Sequence, residues 1–384
     1  MRLCLYCNQM KLESEFSLEH IFPDRLGRAL CSNLFKTHQV CRNCNSIAGM
    51  FIDAPFIKNW FRINDEALAS EQYLDLRNPL SLQPLMYMGV LQNLTLGENF
   101  ICEMWLASCG SHVYHVHERD DSRYDTYAGG NPIARKRQPG RVYLLFTTEA
   151  PEWIPLILRS VKASFGRDRR FGGNCAIQDD SKDDPFLHEL DEASREELGK
   201  IMALPEEKSM GFATDPYFEQ RFLAKFALGL GFNILGQPFL NTSYAIHLRN
   251  ALWEKDAERR KRIPLRGSGF FGNEANETDT FVGWPGAYTI RLHIVAAHFV
   301  LTLHFPSGRA VHIVISDDPS LWVDENFDKY RNGAVFLVLP QLGQFVGPVP
   351  LPQYLAHRLG NIKLPELAAV EERRVDRASL PRCR

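Results

Sequence analysis

Two Cys-x-x-Cys knuckles, Cys4 with Cys7 and Cys41 with Cys44, bracket residues 8–40. Thiolates at this spacing can converge on one tetrahedral Zn²⁺, and a closed four-thiolate shell is structural because no position is left for water. The clamp constrains the first 50 or so residues more than any other feature. They hold too few apolar side chains for a stable core of their own, so metal binding energy becomes folding energy there. Nine cysteines is an odd number, and the paired spacing of four reads as metal binding in a reducing compartment rather than a disulfide framework. Cys31, Cys102, Cys109, Cys175 and Cys383 are scattered and read as small core or surface residues.

At 384 residues the chain exceeds the usual single domain, and 45% hydrophobic with 23% charged residues is a globular composition. No apolar run reaches membrane-spanning length, and the opening "MRLCLYC" has no signal-peptide pattern. The expectation is a cytoplasmic protein with no membrane partner. A net charge of -2 argues against coating nucleic acid by charge alone and leaves room for a local basic face.

The composition shifts along the chain divide it into residues 1–65, 66–175, 176–215 and 216–384. The second segment carries alternating apolar runs such as "FICEMWLASC", "HVYHVHER" and "RVYLLFTTEA", an α+β pattern. The third is acidic, with a surface helix flanked by loops. In the fourth, Asp215 caps a helix that begins at Pro216 and that Gly229 and Gly231 are expected to end. "SYAIHLRNALWEKDAERRKR" reads as one further helix. Long β-branched runs with a "PSGR" turn then predict antiparallel sheet. The fold class is α+β, a zinc-stapled N-terminal module followed by a larger α+β region.

Inside the clamp lies Glu19-His20-Ile21-Phe22-Pro23, and Asn45 follows the second knuckle directly. Together "CLYC", "EHIFP", "CRNCN" and "SIAGMFID" resemble the HNH endonuclease family, in its branch with a cysteine-bound zinc. The resemblance spans residues 4–56. It implies a β-hairpin followed by a helix, the ββα-metal fold, holding one catalytic divalent ion. By position, His20 corresponds to the general base that deprotonates the attacking water, and Glu19 and Asn45 to the ligands of that ion. An oxygen-rich pair suits Mg²⁺ or Mn²⁺. Asn33 corresponds to the Asn that orients the base, although eight steps separate it from Cys41, more than the family commonly has. Neighbours on a regular strand face opposite ways, so Glu19 and His20 serve one site only if the chain turns there. Gly49 and Asp53 match the helix continuation, with Asp53 in a structural role.

Elsewhere, His112, His115 and His117 read as solvated or satisfied histidines, since no Cys or carboxylate stands at ligand spacing. His38 reads as a loop residue. Arg135, Lys136, Arg137, Arg141, Arg167, Arg169 and Arg170 form either a solvated face or phosphate contacts. "ERRKR" sits at a helix end, where cations favour the dipole. No phosphate-binding Gly-x-x-x-x-Gly-Lys loop is present.

These features point to a metal-dependent endonuclease acting on DNA. Residues 66–384 are then expected to serve recognition, sensing or assembly, in answer to a regulatory protein or small-molecule trigger, and by analogy the setting is bacterial defence against foreign DNA. Two other readings stand beside it: a zinc-stapled DNA- or protein-binding module that leaves the nuclease-like residues unused, and a nuclease of the same type acting on RNA. The oligomeric state stays open.

Overall fold

The computed structural model describes residues 1–27, 31–78, 82–119, 139–147, 151–165, 170–173, 190–204, 210–211, 216–268, 281–322, 325–376 and 380–381. The chain forms two compact units: Met1–Ile57 with Pro216–Arg374, and Lys58–Asp215 with Val375–Arg384. The segments drawn from composition are cuts along the chain, whereas each of these units is assembled from two separate stretches of it.

In the N-terminal segment, β1 (Arg2–Leu3) pairs with β2 (Met10–Lys11) across the first knuckle. The hairpin of β3 (Phe16–His20) and β4 (Lys36–Cys41) follows, then α1 (Arg42–Ala48), which runs on through a π turn at Gly49–Asp53. The β3–β4 register slips between Ser17 and Glu19, so Ser17 faces Val40 while Glu19 faces Thr37. A bulge of this kind re-aims side chains. Leu18 is left exposed and Glu19 is turned into the interior.

The second unit begins with α2 (Trp60–Glu71), whose first turn is capped by the Asn59 side chain accepting from the Arg62 N–H at 3.0 Å. Its strands are β5 (Met86–Leu91), β6 (Phe100–Leu106), β7 (His112–Glu118), β8 (Gly140–Leu145), β9 (Arg170–Gly173) and β10 (Met210–Gly211). They form one sheet in the order β10-β5-β6-β7-β8-β9, antiparallel except for β8 and β9. The parallel pair needs a crossover, and α3 (Ile154–Phe165) lies within it. Tyr87, Trp105, Val113, Val142 and Leu144 share a core with Leu156, Ile157, Val161 and Phe165 of this helix. Residues of the alternate parity, among them Met104, Val116 and Tyr143, pack with Ile201 of α4 (Glu192–Met202). Cys109, which the sequence reads as a small core or surface residue outside any disulfide framework, is disulfide-bonded.

The remainder of the first unit brings α5 (Pro216–Leu235), α6 (Ser243–Trp253) and six strands. These are β11 (Gly267–Ser268), β12 (Tyr288–Val295), β13 (His298–His304), β14 (Ala310–Ser316), β15 (Ala334–Leu339) and β16 (Gln344–Pro350). The sheet is antiparallel in the order β11-β14-β13-β12-β15-β16, as the β-branched runs predict. Its core is continuous with that of the N-terminal segment. Phe56 stacks on Phe222 with ring centroids 3.6 Å apart, Phe22 lies 5.5 Å from Phe226, and Phe35 meets Phe336 edge-on at 5.2 Å. Aromatic pairs of this sort contribute beyond the area they bury. They explain how so small a cysteine module acquires a hydrophobic core.

Two expectations are corrected here. Gly229 and Gly231 do not end the helix, which runs to Leu235. They are points of close approach. A Cβ at Gly229 would lie 2.7 Å from Ile21 Cγ1, and one at Gly231 would lie 2.4 Å from Phe239 Cζ. Gly231→Val is therefore expected to destabilise the chain by about 1–3 kcal/mol through overpacking, although valine is the better helix former. Urea unfolding of the two proteins measures this. The expected single helix from Ser243 breaks at Trp253, and a short helix at Ala257–Lys261 restarts where Asp256 accepts from the Arg259 N–H at 2.8 Å. Among the described residues, no helix is long and apolar enough to cross a membrane.

Candidate active site

One thiol sulfur from each of Cys4, Cys7, Cys41 and Cys44 lies within 4.8 Å of the others, and three of the four residues are buried. The Cys41 N–H points at Cys4 Sγ, 3.4 Å away, the kind of main-chain donor that stabilises a thiolate. Hydrogen bonding from Cys44 does most to pull the Cys4 thiol down to about 4; burial opposes it and main-chain N–H groups of Cys41, Cys7 and Tyr6 assist. The set fits a structural zinc. The first knuckle is also held from α6: Arg249 Nε donates to Leu5 O at 3.2 Å and Trp253 Nε1 donates to Tyr6 O at 2.9 Å.

Glu19 is 2% exposed. Its Oε1 lies 2.7 Å from Lys225 Nζ and accepts from the Tyr6 hydroxyl at 3.1 Å. Lys225 comes from α5 and is wholly buried; its ammonium also meets Asp53 Oδ2 at 2.7 Å and donates to the His20 carbonyl at 3.0 Å. Three donors thus meet Glu19, Asp53 and a main-chain oxygen. Burial alone would lower the pKa of Lys225, but the facing Asp53 and Glu19 outweigh it and hold the pKa above its ordinary value. Burial and the neighbouring Glu19 raise Asp53 to about 6, with Lys225 opposing. Removing one partner of a buried ion set leaves the others uncompensated. Lys225→Met is expected to cost about 3–5 kcal/mol, read from denaturant unfolding of the full chain.

His20 is half-buried and closes β3, one residue beyond Glu19. The pair therefore differs in burial: Glu19 is enclosed in the interior and His20 is half-exposed. Asn45 on α1 donates through Nδ2 to Ser17 Oγ at 3.0 Å and to Leu18 O at 2.8 Å, which ties the helix to the bulged strand. This leaves its Oδ1 as the acceptor of that amide. Asn33 opens a short 3-10 helix at Asn33–Phe35; it is exposed and makes no hydrogen bond with His20. The turn is held instead by the Ile21 N–H donating to Phe35 O at 2.9 Å. His38 is exposed, and its carbonyl accepts from Arg2 at 2.8 Å. Asp53 has the structural part expected of it, and the neighbour it holds is Lys225.

HNH nucleases use divalent metals. The position expected for such an ion, at Glu19 with Asn45, does not fit one as arranged, because a cation of the chain itself already answers Glu19. Lys225 was missed by sequence reasoning. Its signal is a single lysine inside the apolar run "RFLAKFALGLGF" of α5.

Of the basic candidates, Arg141 forms a two-pronged pair with Glu197, at 2.7 Å for both Nε and Nη2. Arg170 lies in β9, paired with Arg141. Arg135, Lys136, Arg137, Arg167 and Arg169 lie outside the described residues. His115 and His117 are fully buried, and the carboxylate missing from their reading is Glu103, brought in from the adjacent strand.

No curated protein and no solved structure matches the chain. Residues 4–61, which carry the cysteine clamp, Glu19, His20 and Asn45, match the family model described as HNH endonuclease.

Proposed function

We propose that the protein is an endonuclease that hydrolyses phosphodiester bonds of DNA, with His20 as the general base. What carries this reading is the position of His20: it ends a bulged strand inside the cysteine clamp, half-exposed, with its carbonyl gripped by buried Lys225. A positioned imidazole is the side chain most often used to take a proton from an attacking water. Zinc holds the loop that presents it, Asn45 locks the strand to α1, and Lys225 with Glu19 and Asp53 fixes the turn from below. Mg²⁺ or Mn²⁺ remains the proposed partner of the reaction on family grounds, and no step is assigned to an ion at Glu19. The cytoplasm and defence against foreign DNA are the proposed setting. The rest of the chain is proposed to aim or restrain the nuclease in answer to a protein or small-molecule trigger.

Labelled DNA and RNA of one sequence, incubated with the full chain and Mg²⁺ or Mn²⁺, test the substrate. The DNA is expected to be cut; cleavage confined to RNA overturns this choice.

A further inference from the structure

We propose that Glu103, His115 and His117 form a second metal site, in the unit built on Lys58–Asp215, that takes a divalent transition ion of the zinc class. Glu103 stands on β6 directly opposite His115 of β7, and His117 follows on the same face of β7. All three are fully buried, and one ligand atom from each lies within 4.8 Å of the others. Among the described residues, Trp105, Val113, Val142 and Leu144 pack in the core on the same face. A carboxylate and two imidazoles gathered on one buried face are a ligand set of the kind that divalent transition ions take.

The distances discriminate between the possible answers. Glu103 Oε2 lies 3.4 Å from His117 Nε2 and 3.7 Å from His115 Nδ1. Good N–H···O bonds span roughly 2.7–3.2 Å, so these contacts are long for direct hydrogen bonds. Two donors each about 2.0–2.1 Å from a tetrahedral ion stand about 3.4 Å from one another. The spacing suits atoms that share a metal better than atoms that share a proton.

The supporting contacts point the same way. His117 Nδ1 lies 2.6 Å from the Glu118 carbonyl, which can only accept, so Nδ1 is the donor there and Nε2 is the nitrogen turned to Glu103. The Tyr87 hydroxyl donates to Glu103 Oε1 at 2.9 Å and leaves Oε2 facing the imidazoles. Phe165 packs against the His115 ring at 5.1 Å between centroids and closes the apolar side. Gly140 permits the close approach of β8; a Cβ there would lie 3.0 Å from His115 Nε2. Two imidazole nitrogens and one carboxylate oxygen suit Zn²⁺, Co²⁺ or Fe²⁺ over Mg²⁺ or Ca²⁺.

The test is a metal count on the full chain that does not depend on nuclease activity. Protein equilibrated with Zn²⁺ and freed of excess is expected to retain two equivalents, one at the cysteines and one here. Glu103→Gln and His117→Gln are each expected to retain one equivalent, with far-ultraviolet circular dichroism unchanged. Co²⁺ added to wild type holding one zinc at its cysteines is expected to bind with visible bands that lack thiolate charge transfer. This readout needs no variant to fold. The proposal is overturned if wild type holds one equivalent and takes up no second from Zn²⁺, Co²⁺ or Fe²⁺. It is equally overturned if folded Glu103→Gln and His117→Gln both keep two.

Discussion

Cys44→Ser is expected to lose one zinc per chain and to release the β3–β4 hairpin from its ordered state. Small zinc-dependent modules draw an apparent 10–16 kcal/mol, roughly, from their metal, as much as the whole stability of a typical domain. Here part of that loss is offset, because Phe22, Phe35 and Phe56 remain anchored in the core shared with α5 and the C-terminal sheet. The expected result is therefore local unfolding. Hydrogen exchange read by mass spectrometry checks it: amides of β3, β4 and α1 should lose protection, while those of β12, β13 and β15 keep theirs. Uniform loss along the chain would mean that the clamp supports the entire first unit, and unchanged protection would mean that the zinc has no structural part.

His20→Ala is the second large effect. General-base catalysis contributes about 10²- to 10⁴-fold, and a drop of that size in the rate of DNA cleavage is expected. The side chain is half-buried at a strand end, and its backbone carbonyl, which Lys225 grips, is untouched by the substitution. Folding and DNA binding should therefore persist. Added imidazole is expected to restore part of the rate, an effect that a purely structural role for His20 would not produce. Single-turnover kinetics on a labelled duplex, with and without imidazole, make the measurement.

Much of this was legible in the sequence because it rests on local spacing. Two Cys-x-x-Cys knuckles announce one tetrahedral site whatever lies between them, and the β-branched runs of β12–β15 announce sheet. What stayed hidden depends on contacts between distant residues. Gly229 and Gly231 look like helix stops, since glycine usually punctuates; their real part is to let Ile21 and Phe239 approach the helix. Lys225 stands 206 positions from Glu19, and no periodicity links a lysine in an apolar helix to two carboxylates in another segment. Glu103 met His115 and His117 only through the register of β6 against β7, which alternation alone does not determine. The bulge between Ser17 and Glu19 was equally invisible, and it is what turns Glu19 inward.

The most direct test of the account is conversion of supercoiled plasmid by the full zinc-loaded chain with Mg²⁺ or Mn²⁺, run beside His20→Ala with DNA binding measured on both. The account predicts nicked or linear product from the wild type, little from the variant, and equal binding by the two. Equal cleavage by both proteins would contradict the role of His20, and equal binding with no cleavage by either across both metals and on single- and double-stranded DNA would contradict the nuclease itself and favour a zinc-stapled binding module.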